Sequence, residues 1–179
     1  SLITLKQALF HLGFNTMNIR EVIDGDFDDI WPIFHAIVNK GDTYAYPRDT
    51  NKEQAQNLWL EMPLATFVVE KNGVILGTYF IKTNQTGAGD HVCNCGYMVA
   101  PAAQGQGLAT LMCQHSQRQA LELGFKAMQF NFVAASNTGA LKLWQKLGFA
   151  TVGCLPKAFL HPQLGYIDAM VMYKWLTSC

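Results

Sequence analysis

The spacing of hydrophobic positions changes several times along the chain, which predicts alternating strands and helices. Ile30, Phe34 and Val38 recur at helical spacing and, with aspartates just before them, predict a helix over residues 26–39. Other segments are read in the same way. The predicted strands are 18–23, 65–71, 74–83, 91–100, 126–134, 149–155 and 166–176, and the predicted helices are 26–39, 51–61, 107–123 and 137–147.

Glycine, proline and asparagine mark the ends of these elements. Asn72-Gly73 lies between two apolar runs and predicts a tight hairpin turn. Pro101 should end the strand before it, because proline has no amide hydrogen to donate. Asn51 is expected to cap the second helix, and Gly124 and Gly148 to end the next two.

The order of elements predicts an α+β fold of the α/β/α type. It implies one central mixed, mostly antiparallel sheet of about seven strands, with helices on both faces. The chain has 179 residues, which suits one domain better than two. We therefore expect a single domain over 18–179, preceded by a short helical extension over 1–17.

Composition excludes several kinds of partner. Half of the residues are hydrophobic and 15% are charged, as in a folded domain. The 13 basic and 13 acidic residues balance, which argues against a nucleic-acid partner. No apolar run reaches the roughly 20 residues of a membrane span. The segment 2–14 lacks the layout of a signal peptide, so we expect a cytoplasmic protein with no membrane partner.

The five cysteines do not indicate a metal centre. They are odd in number and include no pair at C-x-x-C spacing, so neither a disulfide framework nor a zinc site is expected. Cys93 and Cys95 share one face of a predicted strand. They are interpreted as small packing residues, with a catalytic thiol as the less favoured alternative.

The segment Gln104-Gly105-Gln106-Gly107-Leu108-Ala109 has the form of a phosphate-binding turn between a strand and a helix. The first amides of a helix lack internal partners, and the helix dipole favours an anion there. A Walker loop would require Lys-Ser/Thr after Gly107, and a dinucleotide loop would require a third glycine where Thr110 stands. An ordinary strand–helix turn remains the alternative for this segment alone.

Together with its neighbours, the turn resembles the GNAT superfamily of acyl-CoA N-acyltransferases. The turn shows the pattern Q-x-x-G-x-A, with Gly96-Tyr97-Met98-Val99-Ala100-Pro101 before it. Asn137-x-x-Ala140-x-x-Leu143-Trp144-x-x-Leu147-Gly148-Phe149 follows at the expected distance. The resemblance runs from about Ile19 to the C-terminus. It implies a GNAT fold whose sheet is splayed between strands 4 and 5, with acetyl-CoA as acyl donor and no metal.

The resemblance also implies where acetyl-CoA binds. Its pantetheine arm would lie in the splay against Met98 and Val99, and its pyrophosphate would meet the amides of the glycine turn. Asn137 would bond the arm or simply cap its own helix. Lys142 and Lys146 would meet the nucleotide end or be solvated. The implied cofactor-binding residues are Met98, Val99, Gln104, Gly105, Gln106, Gly107, Leu108, Ala109, Asn137, Ala140, Leu143, Trp144 and Lys146.

Two departures from the common family pattern concern the chemistry. Many relatives carry a glutamate on the fourth strand, whereas this strand begins His91-Val92-Cys93-Asn94-Cys95. Many also have a tyrosine acid at the position of Trp144, whose indole does not titrate usefully. The resemblance implies direct attack of an amine on the thioester, with a backbone N–H near Val99 stabilising the oxyanion.

A closer resemblance is to the fungal N-acetyltransferases that detoxify azetidine-2-carboxylate. It rests on the segments 93–97, 130–133, 136–138 and 165–169. It implies that Asn94 and Asn131 hold the substrate carboxylate or activate the amine, with Tyr44 and Phe132 beside the substrate. The alternatives are polar sheet residues satisfied locally and an aromatic loop residue that only packs.

The function predicted from the sequence is acetyl transfer from acetyl-CoA to a primary or secondary amine of a small molecule, such as an amino acid or proline analogue. The alternatives are a non-catalytic acyl-CoA-binding domain and a protein or peptide N-acetyltransferase. A homodimer is a further expectation, with the apolar strand segment 169–173 pairing across it.

Overall fold

The strands of the chain join one seven-stranded sheet in the computed structural model, which describes residues 16–177. In chain order, β1 to β7 are Asn18–Glu21, Ala65–Lys71, Val74–Thr83, Val92–Val99, Ala127–Ala134, Ala150–His161 and Gly165–Trp175. The α-helices α1 to α4 are Phe27–Lys40, Lys52–Gln56, Leu108–Glu122 and Thr138–Lys146. A π-helix, Asn57–Glu61, continues α2, and short 3-10 turns are Gly87–Gly89 and Pro101–Ala103.

The sheet is mixed, as the sequence predicted. Its strand order is β1-β2-β3-β4-β5-β7-β6, and every neighbouring pair is antiparallel except β4 and β5. These two pair in parallel only from Val92↔Ala127 to Asn94↔Gln129. Beyond Asn94 they separate, which confirms the splay between strands 4 and 5.

Helices cover both faces of the sheet and bury two hydrophobic clusters. On one face, α1 and the π-helix pack on β2 to β4 through Phe34, Trp59 and Phe80. On the other face, α3 and α4 pack through Met112 and Trp144. Alternation of side chains along each strand supplies both clusters at once. The predicted layered α/β/α arrangement is therefore confirmed.

The predicted β2–β3 hairpin is present, and its turn has the expected backbone. Asn72 and Gly73 have φ of 54° and 75°. Positive φ at both central residues is the geometry that matches the twist of a two-residue hairpin, and Asn and Gly are the residues that adopt it most readily.

The second predicted helix, 51–61, is only partly regular. Asn51 caps it as expected, in a reciprocal capping box with Gln54. After Gln56 the chain turns to π geometry, and the amide of Met62 bonds the carbonyl of Asn57 at 2.9 Å. Trp59 lies inside this segment, fully buried, with its indole N–H donating to Thr78 at 3.0 Å. The spacing of nearby residues does not predict this bond to a distant strand.

Strand β6 is longer than the predicted 149–155. The strand passes Pro156 and continues to His161 through an irregularity in its pairing with β7. Lys157 takes a φ of 52° there, and its amide donates to Oδ1 of Asp168 at 2.9 Å. A bulge allows a proline inside a ladder because the local amide pairing is already broken.

The prediction that residues 169–173 pair with a second subunit as strands is wrong. Strand β7 lies between β5 and β6, and Ala169 pairs with both Ala134 and Leu155. Its two edges are therefore satisfied inside the chain. The open edge on this side of the sheet belongs to β6. The homodimer itself stays a prediction.

Several expectations concern absences or lie at the termini. Of the helices within residues 16–177, none combines the length and hydrophobicity needed to cross a bilayer. The same part of the chain has no group of three or more His, Cys, Asp or Glu side chains that could hold a metal. The predicted helical extension, apart from its last two residues, and Cys179 lie outside the described residues.

An ion-pair network joins β1, the start of α1 and β2. Arg20 donates to both carboxylate oxygens of Asp26, at 2.7 and 3.0 Å, and to Glu70 at 3.1 Å. The amide of Ile23 donates to Asp26 at 2.8 Å. The Arg20 hydrogen bonds, aided by that amide, lower the pKa of Asp26 below its ordinary 3.8. The charged carboxylate is therefore the form that the fold stabilises.

We expect Asp26→Asn to lower the free energy of unfolding by about 1–3 kcal/mol near neutral pH, as for hydrogen bonds to a charged group. A depressed pKa gives stability that is fully present above 3.8 and is lost as the pH falls through the lower pKa of the folded state. Urea unfolding of both proteins should therefore show a difference that shrinks as the pH falls below 3.8. The exposed Asp24→Asn is the control, and an equal difference at all pH values would contradict the network's role.

Candidate active site

A continuous cleft opens where β4 and β5 part. A smaller cavity of about 420 Å³ and a larger one of about 750 Å³ meet there. The side chains common to both come from the loop after α1, from β4 and from α4. These shared residues are Thr43, Tyr44, Tyr97, Asn137, Ala140 and Trp144. The two cavities are therefore the two arms of one cleft that meet at Tyr44 and Trp144.

The backbone of β4 presents unpaired edge groups to this cleft. The amide of Ala100 bonds the carbonyl of Leu76, on the β3 side. Because successive residues of a strand turn their backbone groups to opposite edges, Val99 and Tyr97 face the gap towards β5. An extended ligand could pair with this edge as an additional strand does. Met98 and Val99, which were predicted to contact the pantetheine arm, both line the larger cavity.

The glycine turn lies at the far end of the larger cavity. Gly105 and Gly107 both have φ of 78°, which only glycine adopts readily. Gly107 is the N-cap of α3 and offers no side chain to the first helix amides. Ala103 and Leu108, both 2% exposed, anchor the turn on either side. The 15-residue helix α3 thus directs uncapped amides and its positive dipole end outwards, which is an anion site.

Only part of the predicted turn faces the larger cavity. Gln104, Gly105 and Ala109 line it, whereas Gln106, Gly107 and Leu108 do not. Leu108 is buried in the core, so only its backbone could serve a ligand.

Aromatic packing positions Tyr44 over the junction. Its ring stacks on that of Tyr46, with the centroids 5.6 Å apart. Tyr46 in turn packs on the buried Phe34, and Tyr44 packs on the buried Trp59. The Tyr44 hydroxyl donates to the carbonyl of Tyr97 at 2.7 Å. Burial raises the pKa of Tyr44 well above its usual range, so the phenol is neutral. The loop residue therefore serves as a fixed hydrogen-bond donor and not as a base.

Gly96 forms the floor of the smaller cavity. A Cβ at this position would lie 2.6 Å from Cε1 of Phe80 and 3.2 Å from the Tyr44 hydroxyl oxygen. The missing side chain lets both rings approach the backbone of β4. The shape of the cavity thus depends on a glycine in an ordinary strand conformation.

Asn94 and Asn131, the two residues predicted to contact the substrate, both line the smaller cavity. Asn94 is buried and donates from Nδ2 to the carbonyl of Gln129 at 2.9 Å, across the last paired position of β4 and β5. Asn131 is exposed, accepts from Gln129 at 3.0 Å and donates to Asn84 at 2.7 Å. Both amides are therefore partly satisfied locally, and both still present polar atoms to the cavity. Phe132 lines the same cavity.

Helix α4 forms the other wall of the cleft. Asn137 caps it, accepting from the amide of Ala140 at 3.2 Å, which leaves its Nδ2 available to the cleft. Leu143 lines the larger cavity, and Trp144 lines both, 8% exposed and packed on Tyr97 and Phe130. Lys142 and Lys146 are exposed and line neither cavity.

Several further residues of the cleft were not predicted to contact a ligand. Among them, Tyr97 lines both cavities, Cys95 and Lys82 line the smaller one, and His161 lines the larger one. Burial raises the pKa of the Cys95 thiol, so it is not a thiolate nucleophile. His161 accepts at Nδ1 from the amides of Gln163 and Leu164, at 3.1 and 3.2 Å. This arrangement leaves the proton of the neutral ring on Nε2. Their positions depend on strand register and on the length of β6, which residue spacing does not reveal.

His115 is not part of the cleft. Its Nδ1 lies 2.6 Å from the Tyr79 hydroxyl, and burial lowers the pKa of the imidazole. The pair packs between α3 and β3 beside Phe67.

We expect Gly96→Ala to lower the free energy of unfolding by about 1–3 kcal/mol, because the new methyl group overpacks Phe80. Thermal or urea unfolding measures the loss. Gly153→Ala in β6 is the matched control, since its Cβ would meet Val171 only at 3.7–3.8 Å. Equal stability of the two variants would show that Phe80 moves away at no cost.

Comparisons with known proteins agree with this geometry. The model of the acetyltransferase (GNAT) family matches residues 28–149. A GCN5-related N-acetyltransferase from Kribbella flavida shares 41% identity, with 89% of this chain and 98% of that one covered and a TM-score of 0.85. The N-acetyltransferase aca1 of Schizosaccharomyces pombe is 33% identical over 109 residues, 60% of this chain and 52% of the relative. This match thus spans about half of that relative's length.

A more distant neighbour has a ligand in the fold. The structure of yncA from Salmonella typhimurium, with its cofactor acetyl-CoA, is 21% identical and has a TM-score of 0.78 over 92% of this chain and 96% of that one. At this identity the likeness concerns the fold alone. The family match covers well over half of the chain and includes the splayed strands and the glycine turn. The chain therefore belongs to the acetyltransferase (GNAT) family.

Proposed function

We propose that the protein is an N-acetyltransferase that moves the acetyl group of acetyl-CoA to a primary or secondary amine of a small molecule, such as an amino acid or a proline analogue. One observation carries the proposal. A single cleft joins an uncapped helix N-terminus at one end to a compact cavity lined by aromatic residues and by the amides of Asn94 and Asn131 at the other, and the two arms meet at Tyr44 and Trp144.

The larger cavity suits acetyl-CoA. The amides at Gln104 to Ala109 would take the pyrophosphate, since helix N-termini favour anions. The open edge of β4 at Val99, next to Met98, would pair with the pantetheine arm, and Asn137 would donate from Nδ2 to one of its carbonyls. Ala140 and Leu143 supply small and apolar contacts along the same wall. No metal is part of the proposal.

The residues at the junction support direct transfer in a ternary complex. The amide of Val99 would donate to the developing oxyanion of the thioester carbonyl. Trp144 has no useful titratable group, and Tyr44 is neutral, so neither serves as a proton acceptor. A thiol with a pKa of about 8.5 leaves readily without a strong acid. We propose that the cleft accelerates the reaction chiefly by orientation, which can supply much of a catalytic effect.

The smaller cavity suits the amine. Asn94 and Asn131 present amide groups that would orient the acceptor, and Phe132 and Tyr44 would pack on it. The volume of about 420 Å³ and the loop of Thr43 to Tyr46 along its wall support a small molecule over a protein N-terminus.

A thiol-release assay across a panel of amines, amino acids and peptides tests this function. We expect steady release of coenzyme A with at least one small amine and little with peptides. Calorimetry with acetyl-CoA is run beside it. Binding without turnover on any amine would favour a non-catalytic acyl-CoA-binding domain. Turnover confined to peptides would favour a peptide N-acetyltransferase.

Substitution can separate the two roles of Asn137, which are helix capping and donation from Nδ2 to acetyl-CoA. Serine keeps an N-cap oxygen, so Asn137→Ser should change the stability by less than about 0.5 kcal/mol, whereas Asn137→Ala should cost about 1 kcal/mol. Both variants lose the Nδ2 donor. We expect both to raise the KM for acetyl-CoA about 3- to 10-fold, the effect of one hydrogen bond. An unchanged KM in Asn137→Ser would leave Asn137 with capping alone.

A further inference from the structure

Lys82 gives the smaller cavity a charge that the proposed chemistry does not use. It lies on β3 directly opposite Asn94 of β4, and opposed residues of an antiparallel pair point to the same face. Lys82 lines the smaller cavity and is half-buried. Among the described residues that line this cavity, it is the one charged side chain, and none is a carboxylate.

No protein anion neutralises this ammonium group. The ion pairs found within residues 16–177 involve Arg20, Lys40 and Lys52, and none involves Lys82. The contact of its Nζ is instead with the face of the Phe80 ring, 5.3 Å from the centroid. Phe80 is itself held against Gly96, so this cation–π contact keeps the charge at the cavity wall.

The neighbouring amides do not replace an anion. Asn94 is engaged with Gln129, and Asn131 with Gln129 and Asn84. These amides thus form a chain of hydrogen bonds beside Lys82. Lys82 is the charged group beside these amides, and its ammonium is free to pair with an anion from outside the chain.

The two ends of the smaller cavity differ in chemistry. Tyr44 and Trp144 mark the end shared with the larger cavity, where acetyl transfer would occur. Lys82 and Asn131 lie on the opposite side, since both also line a separate surface pocket with Asn84 and Leu64. A molecule filling the cavity would thus place one end at the junction and its other end at Lys82.

We propose that Lys82 determines specificity by binding a carboxylate of the acceptor, so that the substrates are amino or imino acids and not uncharged or cationic amines. This inference rests on the proposed function. An ammonium group attracts a carboxylate and repels a second cation at the same place. It also disfavours the protonated form of the substrate's amine, and the neutral form is the one that attacks the thioester.

The test compares matched pairs of acids and amides, such as proline with prolinamide and alanine with alaninamide. Rates are expressed per neutral amine, because the amide and the acid differ in amine pKa. We expect the wild type to favour the acid in kcat/KM by about 10-fold or more, as for a charge-assisted contact. Lys82→Gln and Lys82→Met should abolish this preference by raising the KM of the acid. The kcat/KM for the amide, which has no carboxylate to bind Lys82, should fall by much less than the kcat/KM for the acid.

Three further variants sharpen the result. Lys82→Arg should keep the preference, since it keeps the charge, and Lys82→Glu should reverse it in favour of the amide. Lys126→Gln, an exposed lysine away from the cleft, removes the same net charge and should change nothing. Thermal unfolding verifies that each variant is folded.

The outcomes separate the two proposals. Acetylation of amines with an acid-to-amide ratio that is the same in wild type, Lys82→Gln and Lys82→Met would overturn the role of Lys82 and leave the acetyltransferase function standing. Binding of acetyl-CoA with no acetylation of any acid or amide by the wild type would overturn both.

Discussion

The parting of β4 and β5 is the constraint on which the rest of the molecule depends. Two strands that pair over only three positions and then diverge leave backbone groups of Val99 and Tyr97 without a neighbouring strand. A sheet does not tolerate such an interior gap unless something occupies it or bonds across its ends. Here Asn94 bonds Gln129 at the point of separation, and Tyr44 bonds the carbonyl of Tyr97 from above. The gap between these contacts is the cleft.

Both faces of the sheet contribute to holding this gap open. Trp144 and Phe130 fill the side of α4, and Phe80 and Trp59 fill the side of α1 and the π-helix. Gly96 lies between the two sets and allows Phe80 and Tyr44 to reach the strand. The aromatic residues therefore fix the shape of the cavity.

The junction consists of groups that stay neutral. Tyr44, Cys95 and Tyr97 all have pKa values raised by burial, and the indole of Trp144 does not titrate. In the proposed reaction these groups therefore do not act as an acid–base pair. Fixed donors, a nearby helix N-terminus and the charge of Lys82 would provide orientation and electrostatics instead.

Local features were determined by the sequence alone, because each depends on residues within one or two turns of each other. The Asn72-Gly73 turn, the caps at Asn51 and Asn137 and the strand–glycine–helix segment at Gly107 were all readable in this way, and the family resemblance supplied the splay. Tertiary structure decided the rest. Lys82 faces Asn94 only through strand register, Tyr44 bonds Tyr97 across 53 positions, and Trp59 of the π-helix bonds Thr78 of β3. Such contacts form between residues that are distant in the chain, so the pattern of hydrophobic and polar positions contains no record of them.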